Sequence, residues 1–594
     1  MKQIKLFFLL IFALLLTGCF SKEVEVTFVG FDNEVISVQV LEKGDLIQYP
    51  DDPEIEGYEF LGWDQMFTYA EENVTITAQF EQYKFIVSFY DKSKNLIEEQ
   101  EVGYGEDAVA PDFQLPEGYI LMGWDEDFTN VTCDINVYGI FEKATFEVTF
   151  KDSYGQVLDV QTVKNGEDAV APEAPEVEGY EFSGWDRSFD KVKKDLVINA
   201  SYKKIDMGYT MENVNYWIQV MGLKYDMNKL IMTKEEIADY NKLIVSDFDA
   251  TRTLDVTTIK ETVAGTYVSG LINKYTNINK YTVYNDVTKQ AISSSEKNQI
   301  LALRNLDAIP TNVTVKYGII TDFAWMRTYP TTYYSDNYSM DRFQETTLNV
   351  GEGVGIYHVS SDGEWYFVQA MNYYGWVQKK YIAECSYDDM KNFLKAEEKI
   401  VVISDYVILE EAHVRMGQSF PLVTEYEESY KIRFPKRNSD GTLYFKDITV
   451  SKSEEYNKGF LEYNYKNVLL QGFKLLGIDY SWGDKETSGR DCSSTMAAIY
   501  NSFGFMMPRN CTQQRYIPVY GSSVSGVSDA IMKARYKPGT LIYSSSHVMM
   551  YIGENDYGTS YLLHNTNAGT GGCILQSLSS YGGSKIIGIL KMQD

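Results

Sequence analysis

Apolar and polar positions alternate along Val24-Glu25-Val26-Thr27-Phe28, the two-residue period of a strand with one buried face. The same opening returns in Val87-Ser88-Phe89 and Val148-Thr149-Phe150, 61 residues further on each time. Gly44, Gly105 and Gly166 keep that spacing, as do Gly57-Tyr58, Gly118-Tyr119 and Gly179-Tyr180, and Gly62-Trp63, Gly123-Trp124 and Gly184-Trp185. A period this strict over three copies predicts three small β-rich modules in tandem, residues 24–82, 83–143 and 144–204. Each should run strand, turn, strand, a Pro-containing stretch, the Gly-Trp segment and a closing strand such as Val74-Thr75-Ile76-Thr77-Ala78. A Trp at one internal position per module belongs in its core, which favours a stalk over a ligand-binding array.

From residue 206 the period lengthens to that of helices, and 206–306 reads as a helical segment without a chemical constellation. Helices are expected over 213–223, 234–243 and 294–306, with Thr233-Lys234-Glu235-Glu236 as a capping box opening the second. Short strands return over 310–385, around an Asp362-Gly363 hairpin turn, and over 386–452, with strands at 400–403 and 443–450. In the last stretch, 455–594, a helix is expected over 494–503, directly after Cys492. A strand over 546–553 would put His547, Met549 and Tyr551 on one face, and a second over 561–565 carries His564 near its end. A hairpin between them would bring the two imidazoles together.

At 594 residues the chain is too long for one domain, given roughly 100–200 residues per domain. Hydrophobic residues at 44% and charged residues at 23% are globular composition, and 47 Tyr beside 13 Pro suits half-buried sheets. A net charge of −30 argues against a nucleic-acid partner, which needs a basic stripe. Residues 22–203 hold 13 basic and 40 acidic side chains, whereas 455–594 hold 12 and 10, so the acidity belongs to the repeats.

Lys2 and Lys5 precede an apolar run over 6–16, a secretory pattern too short to span a membrane comfortably; no other segment approaches that length. The ending Leu16-Thr17-Gly18-Cys19 resembles a bacterial lipobox. That resemblance implies a signal peptide over 1–19, diacylation of Cys19, and a protein anchored by lipid at the outer face of the cytoplasmic membrane or cell surface.

Six cysteines, without CxxC or zinc spacing, give no disulfide scaffold and no metal site, and no cofactor is expected. Cys492 lies in Gly489-Arg490-Asp491-Cys492-Ser493-Ser494, at or just before a helix N-terminus, where the macrodipole favours thiolate and Ser493 or Asp491 can cap the free amides. A thiolate nucleophile needs a base and the base needs an orienting group, so Cys492 is read as nucleophile, His547 as general base and then acid, and His564 as the residue that fixes the His547 tautomer. The Cys492 N–H could help form an oxyanion hole. Cys133 and Cys385 receive no role; Cys511 and Cys573 read as small buried residues, although a Cys492–Cys511 disulfide, which would abolish activity, stays open. His358 and His413 are expected to be structural.

These residues resemble the NlpC/P60 cysteine peptidases, which have a papain-like α+β fold: Asp491-Cys492-Ser493 is similar to the family's nucleophile motif, His547 in Ser-His-Val-x-x-Tyr-Ile-Gly to its base, and His564 to its third polar residue. Gly363-Glu364-Trp365-Tyr366-Phe367-Val368 with Gly375-Trp376-Val377, and Arg327-Thr328-Tyr329-Pro330-Thr331 before them, resemble a bacterial SH3 module, and 386–452 a second, divergent one. The repeats resemble the Listeria–Bacteroides surface repeat, a β-grasp-like module. The resemblance implies a lipid-anchored wall hydrolase acting on peptidoglycan stem peptides or muropeptides, at the γ-D-glutamyl bond to the diamino acid. It further implies that Asp491 holds a free N-terminal amine, that Tyr480 and Ser493 line the substrate, and that Tyr373 or Tyr374 closes the site; Pro508-Arg509 is similar to the family's Pro-Arg pair. Relatives often carry a small polar residue in place of Cys511. The competing readings are a Cys/His amidase cutting between N-acetylmuramate and L-Ala, and a wall-binding protein with a silent cysteine.

Overall fold

In a computed structural model, the structure describes residues 23–275, 277–517, 521–522, 527–569, 571–582 and 588–590; the lipobox Cys19 lies outside them. The chain divides into two compact units, one of residues 1–151, 157–173 and 185–199, the other of 152–156, 174–184 and 200–594.

The first unit carries the first two modules and most of the third. In the first module, Glu23–Val29 pairs antiparallel with Val35–Glu42 and parallel with Val74–Gln82, which in turn pairs antiparallel with Tyr58–Trp63. The four strands thus lie in the order second, first, fourth, third, the β-grasp-like arrangement, and the other two modules repeat it. The recurring Trp does join each core: Trp63, Trp124 and Trp185 meet Phe28, Phe89 and Phe150 edge-on at 5.0, 5.0 and 5.1 Å. Gly57 recurs because its φ is +85° and a Cβ there would stand 2.3 Å from the Tyr104 ring of the next module.

In the second unit the helical segment is not a separate body. The helix Val214–Met221 buries Trp217 in one core with Val468, Leu469, Ile499 and Leu563 of the C-terminal stretch. The capping box forms as expected, with Thr233 and Glu236 satisfying each other's backbone amides ahead of Lys234–Ser246. Gly265–Asn273, a helix whose pattern went unread, packs Val268 and Ile272 into the core of the strand-rich modules. The first of these modules is a seven-stranded antiparallel sheet from Lys316–Ile320 to Ile382–Cys385, with Gly363 at φ +77° in the expected turn. The next has a five-stranded sheet that runs past residue 452, because Tyr456–Lys458 pairs with Lys399–Val402. The C-terminal stretch sets the helices Tyr465–Lys474 and Cys492–Asn501 against a sheet in which Leu541–Tyr543, Val548–Glu554, Ser560–Thr566 and Gly572–Ser577 are successive neighbours, the last at the edge. Among the described residues, no helix is long and apolar enough to cross a membrane.

Candidate active site

Cys492 is the first residue of its helix. Asp491 is the N-cap, accepting from the Ser494 N–H at 2.9 Å while Ser494 Oγ accepts from the Asp491 N–H at 3.1 Å. Asp491, rather than Ser493, therefore holds the helix start. A helix leaves its first amides without intrahelical partners, and the Cys492 N–H is one of them.

Directly before Val548–Glu554, His547 reaches the next strand. Its Nε2 lies 2.8 Å from His564 Nδ1, and His564 Nε2 lies 2.9 Å from Gln576 Oε1. The hairpin thus joins the two imidazoles, and with Nε2 engaged, Nδ1 is the nitrogen of His547 left to take a proton. The Val548 N–H bonds the Cys492 sulfur, so the thiol sits beside the His547 segment. Tyr581 stacks on the His547 ring at 6.4 Å.

The thiol does not rest as the thiolate that helix position alone suggests. A hydrogen bond with Cys511, burial and the Asp491 carboxylate push Cys492 well up. Burial and neighbouring His564 push His547 down to about 4, and burial takes His564 down to about 4 against its bond to Gln576. At rest, then, Cys492 is a neutral thiol and His547 a neutral imidazole. All five described cysteines are free thiols, Cys511 and Cys492 included.

The two depressed imidazoles set a pH dependence. In the unfolded chain they protonate near 6.5, in the folded protein near 4, so between these values the unfolded state binds more protons. Stability is expected to be fully present above pH 6.5 and to fall as pH drops toward 4. Thermal unfolding followed across that window should give a shallower slope for His547→Gln/His564→Gln than for the wild type; equal slopes would contradict the buried neutral pair.

Beneath the nucleophile lies a buried set of charges. Arg509 donates to Asp491 Oδ2 at 2.7 Å and Oδ1 at 3.1 Å, to Ser493 Oγ at 3.0 Å and to Thr346 Oγ1 at 2.5 Å. Burial alone would raise Asp491, but Arg509 outweighs it and holds the carboxyl below its ordinary range. Asp491 is therefore occupied by the cap and the guanidinium. Ser493 joins the same network, donating to Asp491 Oδ1 at 2.9 Å. Asp484 accepts from the Asp491 N–H at 3.0 Å and lies 3.7 Å from Arg415, which the hairpin Tyr406–Leu409/Ala412–Arg415 supplies. The loop ahead of the nucleophile is also held from Gln344–Leu348, where Thr347 donates to the Asp484 carbonyl at 2.8 Å. Tyr480 is half-buried near this centre; burial and the Asp491 carboxylate push its phenol up.

Tyr373 donates to Glu345 Oε2 at 2.5 Å and also bonds Asn510, next to Cys511. Burial raises the Glu345 carboxyl, and its partners are the hydroxyls of Tyr373 and Thr328; among the described residues no cation pairs with it. Sequence reasoning passed over Glu345 and Gln576. Glu345 lies among other polar residues in Gln344–Leu348 and Gln576 beside Ser577 at the end of Gly572–Ser577, so neither carries a local signal. His358 bonds the Asn305 carbonyl at 3.0 Å, and His413 lies on the Ala412–Arg415 strand; both stand apart from the His547–His564 pair.

Comparison with known proteins follows this geometry. Residues 477–576 match the NlpC/P60 family, 331–378 the SH3 domain of SH3b1 type, and 25–82 and 146–203 the Listeria-Bacteroides repeat domain. Two proteins of Evansella cellulosilytica, named for a membrane location, are 28% and 30% identical over 180 and 187 residues, 27% of this chain in each case. The matches span 27% and 22% of those relatives' own length. A gamma-D-glutamyl-L-lysine dipeptidyl-peptidase of Bacillus cereus is 26% identical over 244 residues, 36% of this chain and 66% of the relative. An NlpC/P60 endopeptidase structure from Photobacterium damselae aligns at 18% identity with a TM-score of 0.49, covering 61% of this chain and 93% of that one.

Proposed function

With an NlpC/P60 domain at its C-terminal end, behind an SH3 module and Listeria-Bacteroides repeats, the chain is, we propose, a cell-envelope cysteine peptidase that cuts peptidoglycan stem peptides at the γ-D-glutamyl bond to the diamino acid. The observation that supports this best is the convergence of Cys492, the first residue of its helix, with the hydrogen-bonded pair His547–His564. The Cys492 proton passes to His547 Nδ1 as sulfur attacks the scissile carbonyl carbon. The Cys492 N–H, at the positive end of its helix, faces the developing oxyanion. The imidazolium then protonates the leaving amine as the C–N bond breaks, giving a thioester. Water, deprotonated by His547, releases the new carboxylate and restores the thiol.

The free amine of a stem peptide beginning with L-Ala is assigned to the Asp491, Glu345 and Tyr373 group, with Tyr480 and Ser493 along the substrate. Asp491 is already paired with Arg509, so the unpaired carboxylate of Glu345 is the stronger attraction for an ammonium in this buried place. The relative named for γ-D-glutamyl-L-lysine cleavage supports the bond chosen. Lipid at Cys19 would hold the enzyme at the outer face of the membrane, with the acidic repeats as stalk.

The chain from Phe20 onward, with Cys492→Ala as control, tests the reading on two stem peptides, one with a free L-Ala amine and one acetylated there. Cleavage of the free peptide alone, with mass spectrometry showing a new amino terminus on the diamino acid, is expected. A freed lactyl carboxylate from intact wall would instead establish the amidase.

A further inference from the structure

We infer that Gln576 is the positioning residue that makes His547 a base. The inference rests on the peptidase reading only for the identity of that base; the arrangement is independent of it. Gly572–Ser577 pairs antiparallel with Ser560–Thr566, with Leu562 opposite Gln576 and His564 opposite Ile574. Gln576 and His564 are therefore diagonal neighbours on one sheet face, and Gln576 Oε1 meets His564 Nε2 at 2.9 Å.

With its amide oxygen toward His564, Gln576 can only accept there, which puts the proton of neutral His564 on Nε2. Its Nδ1 is then a bare lone pair, and it can meet His547 Nε2 at 2.8 Å only if that nitrogen carries the proton. Neutral imidazole has one proton, so His547 Nδ1 is left as the acceptor for the thiol proton. A donor at position 576 would reverse every step. His564 would carry its proton on Nδ1, His547 would accept at Nε2, and His547 Nδ1–H would have no lone pair for the nucleophile. One amide oxygen thus sets the direction of the whole relay.

Burial keeps both rings neutral above about pH 4. The groups facing the pair are Asp491, whose charge acts on His547, the Cys492 thiol, and the Tyr581 ring, which stacks on His547 and stands edge-on to His564 at 6.0 Å. Beside these groups, Gln576 Oε1 bonds His564 at Nε2, the nitrogen that His547 does not engage.

The chain has four histidines, so imidazole nitrogen signals from the ¹⁵N-histidine-labelled full chain can be assigned with His358→Gln and His413→Gln. In the wild type at pH 7, both His547 and His564 are expected to be protonated at Nε2 and bare at Nδ1. Gln576→Met, close in shape but without an acceptor, should lower kcat about 10–100-fold, leave KM nearly unchanged, and mix the two tautomers of His564. Gln576→Glu still accepts, so it should restore kcat and the wild-type tautomers while moving the acid limb of the pH–rate profile upward, because a carboxylate favours the imidazolium. Nδ1-protonated His547 or His564 in the wild type would overturn the inference. So would a Gln576→Met protein with unchanged kcat and unchanged tautomers. If Cys492→Ala is dead but Gln576→Met is fully active, the inference fails and the peptidase stands. If the wild type shows the expected tautomers yet cleaves no stem peptide, the peptidase reading fails and the relay stands.

Discussion

Cys492→Ala is expected to lower kcat on a free-amine stem peptide by at least about 10⁴-fold, with KM changed far less, because the sulfur acts in the bond-making step rather than in binding. His547→Ala should cost about as much. The double variant Cys492→Ala/His547→Ala should be no worse than either single one, since a nucleophile and its base form one unit. Strict additivity of the two losses would mean that the residues act separately, and the triad would be wrong. The test has an internal control. Cys511 is hydrogen-bonded to the nucleophile but carries no step of the reaction, so Cys511→Ser should retain most of the turnover. Loss of activity on Cys511→Ser equal to that on Cys492→Ala would assign the nucleophile to the wrong sulfur.

What the sequence made legible follows from how local each feature is. The tandem modules could be read because the turn glycines and the core Trp recur at one spacing, and recurrence is visible without any tertiary contact. Cys492 could be read because a helix start is also local; His547, expected on its strand, stands one residue before Val548–Glu554. The state of the thiol could not. Helix position argues for thiolate, whereas Cys511, nineteen residues on, bonds the same sulfur and burial opposes the charge. Asp491 was visible as an acidic residue beside the nucleophile, but its use is decided by Arg509, and that of Arg509 by Thr346 on a strand more than a hundred residues earlier. Glu345 and Gln576 acquire meaning only through cross-strand and long-range contacts, which no period in the chain encodes. The helical segment looked independent because its helices are self-contained in pattern; only packing reveals that Trp217 completes the core under the catalytic sheet.

Arg509→Met should be the most damaging change to stability. The guanidinium is buried and joins Asp491, Ser493 and Thr346, so it ties the nucleophile helix to the Gln344–Leu348 strand. Removing it leaves the Asp491 carboxylate buried without its cation, a loss of about 3–5 kcal/mol. The Asp491→Ser single variant keeps a capping oxygen but leaves the arginine with Asp484 alone, at 3.7 Å, so it should also be destabilised, though less. The combined variant Arg509→Met/Asp491→Ser leaves neither charge unpaired while preserving the cap. It should therefore recover part of the lost stability, even though it lacks more native groups than either single variant. Denaturant titration of the four proteins gives the cycle directly. Single-variant losses that simply add in the double would show that the two charges do not depend on each other, and the helix start would then owe its position to the cap and the Asp484 contacts instead.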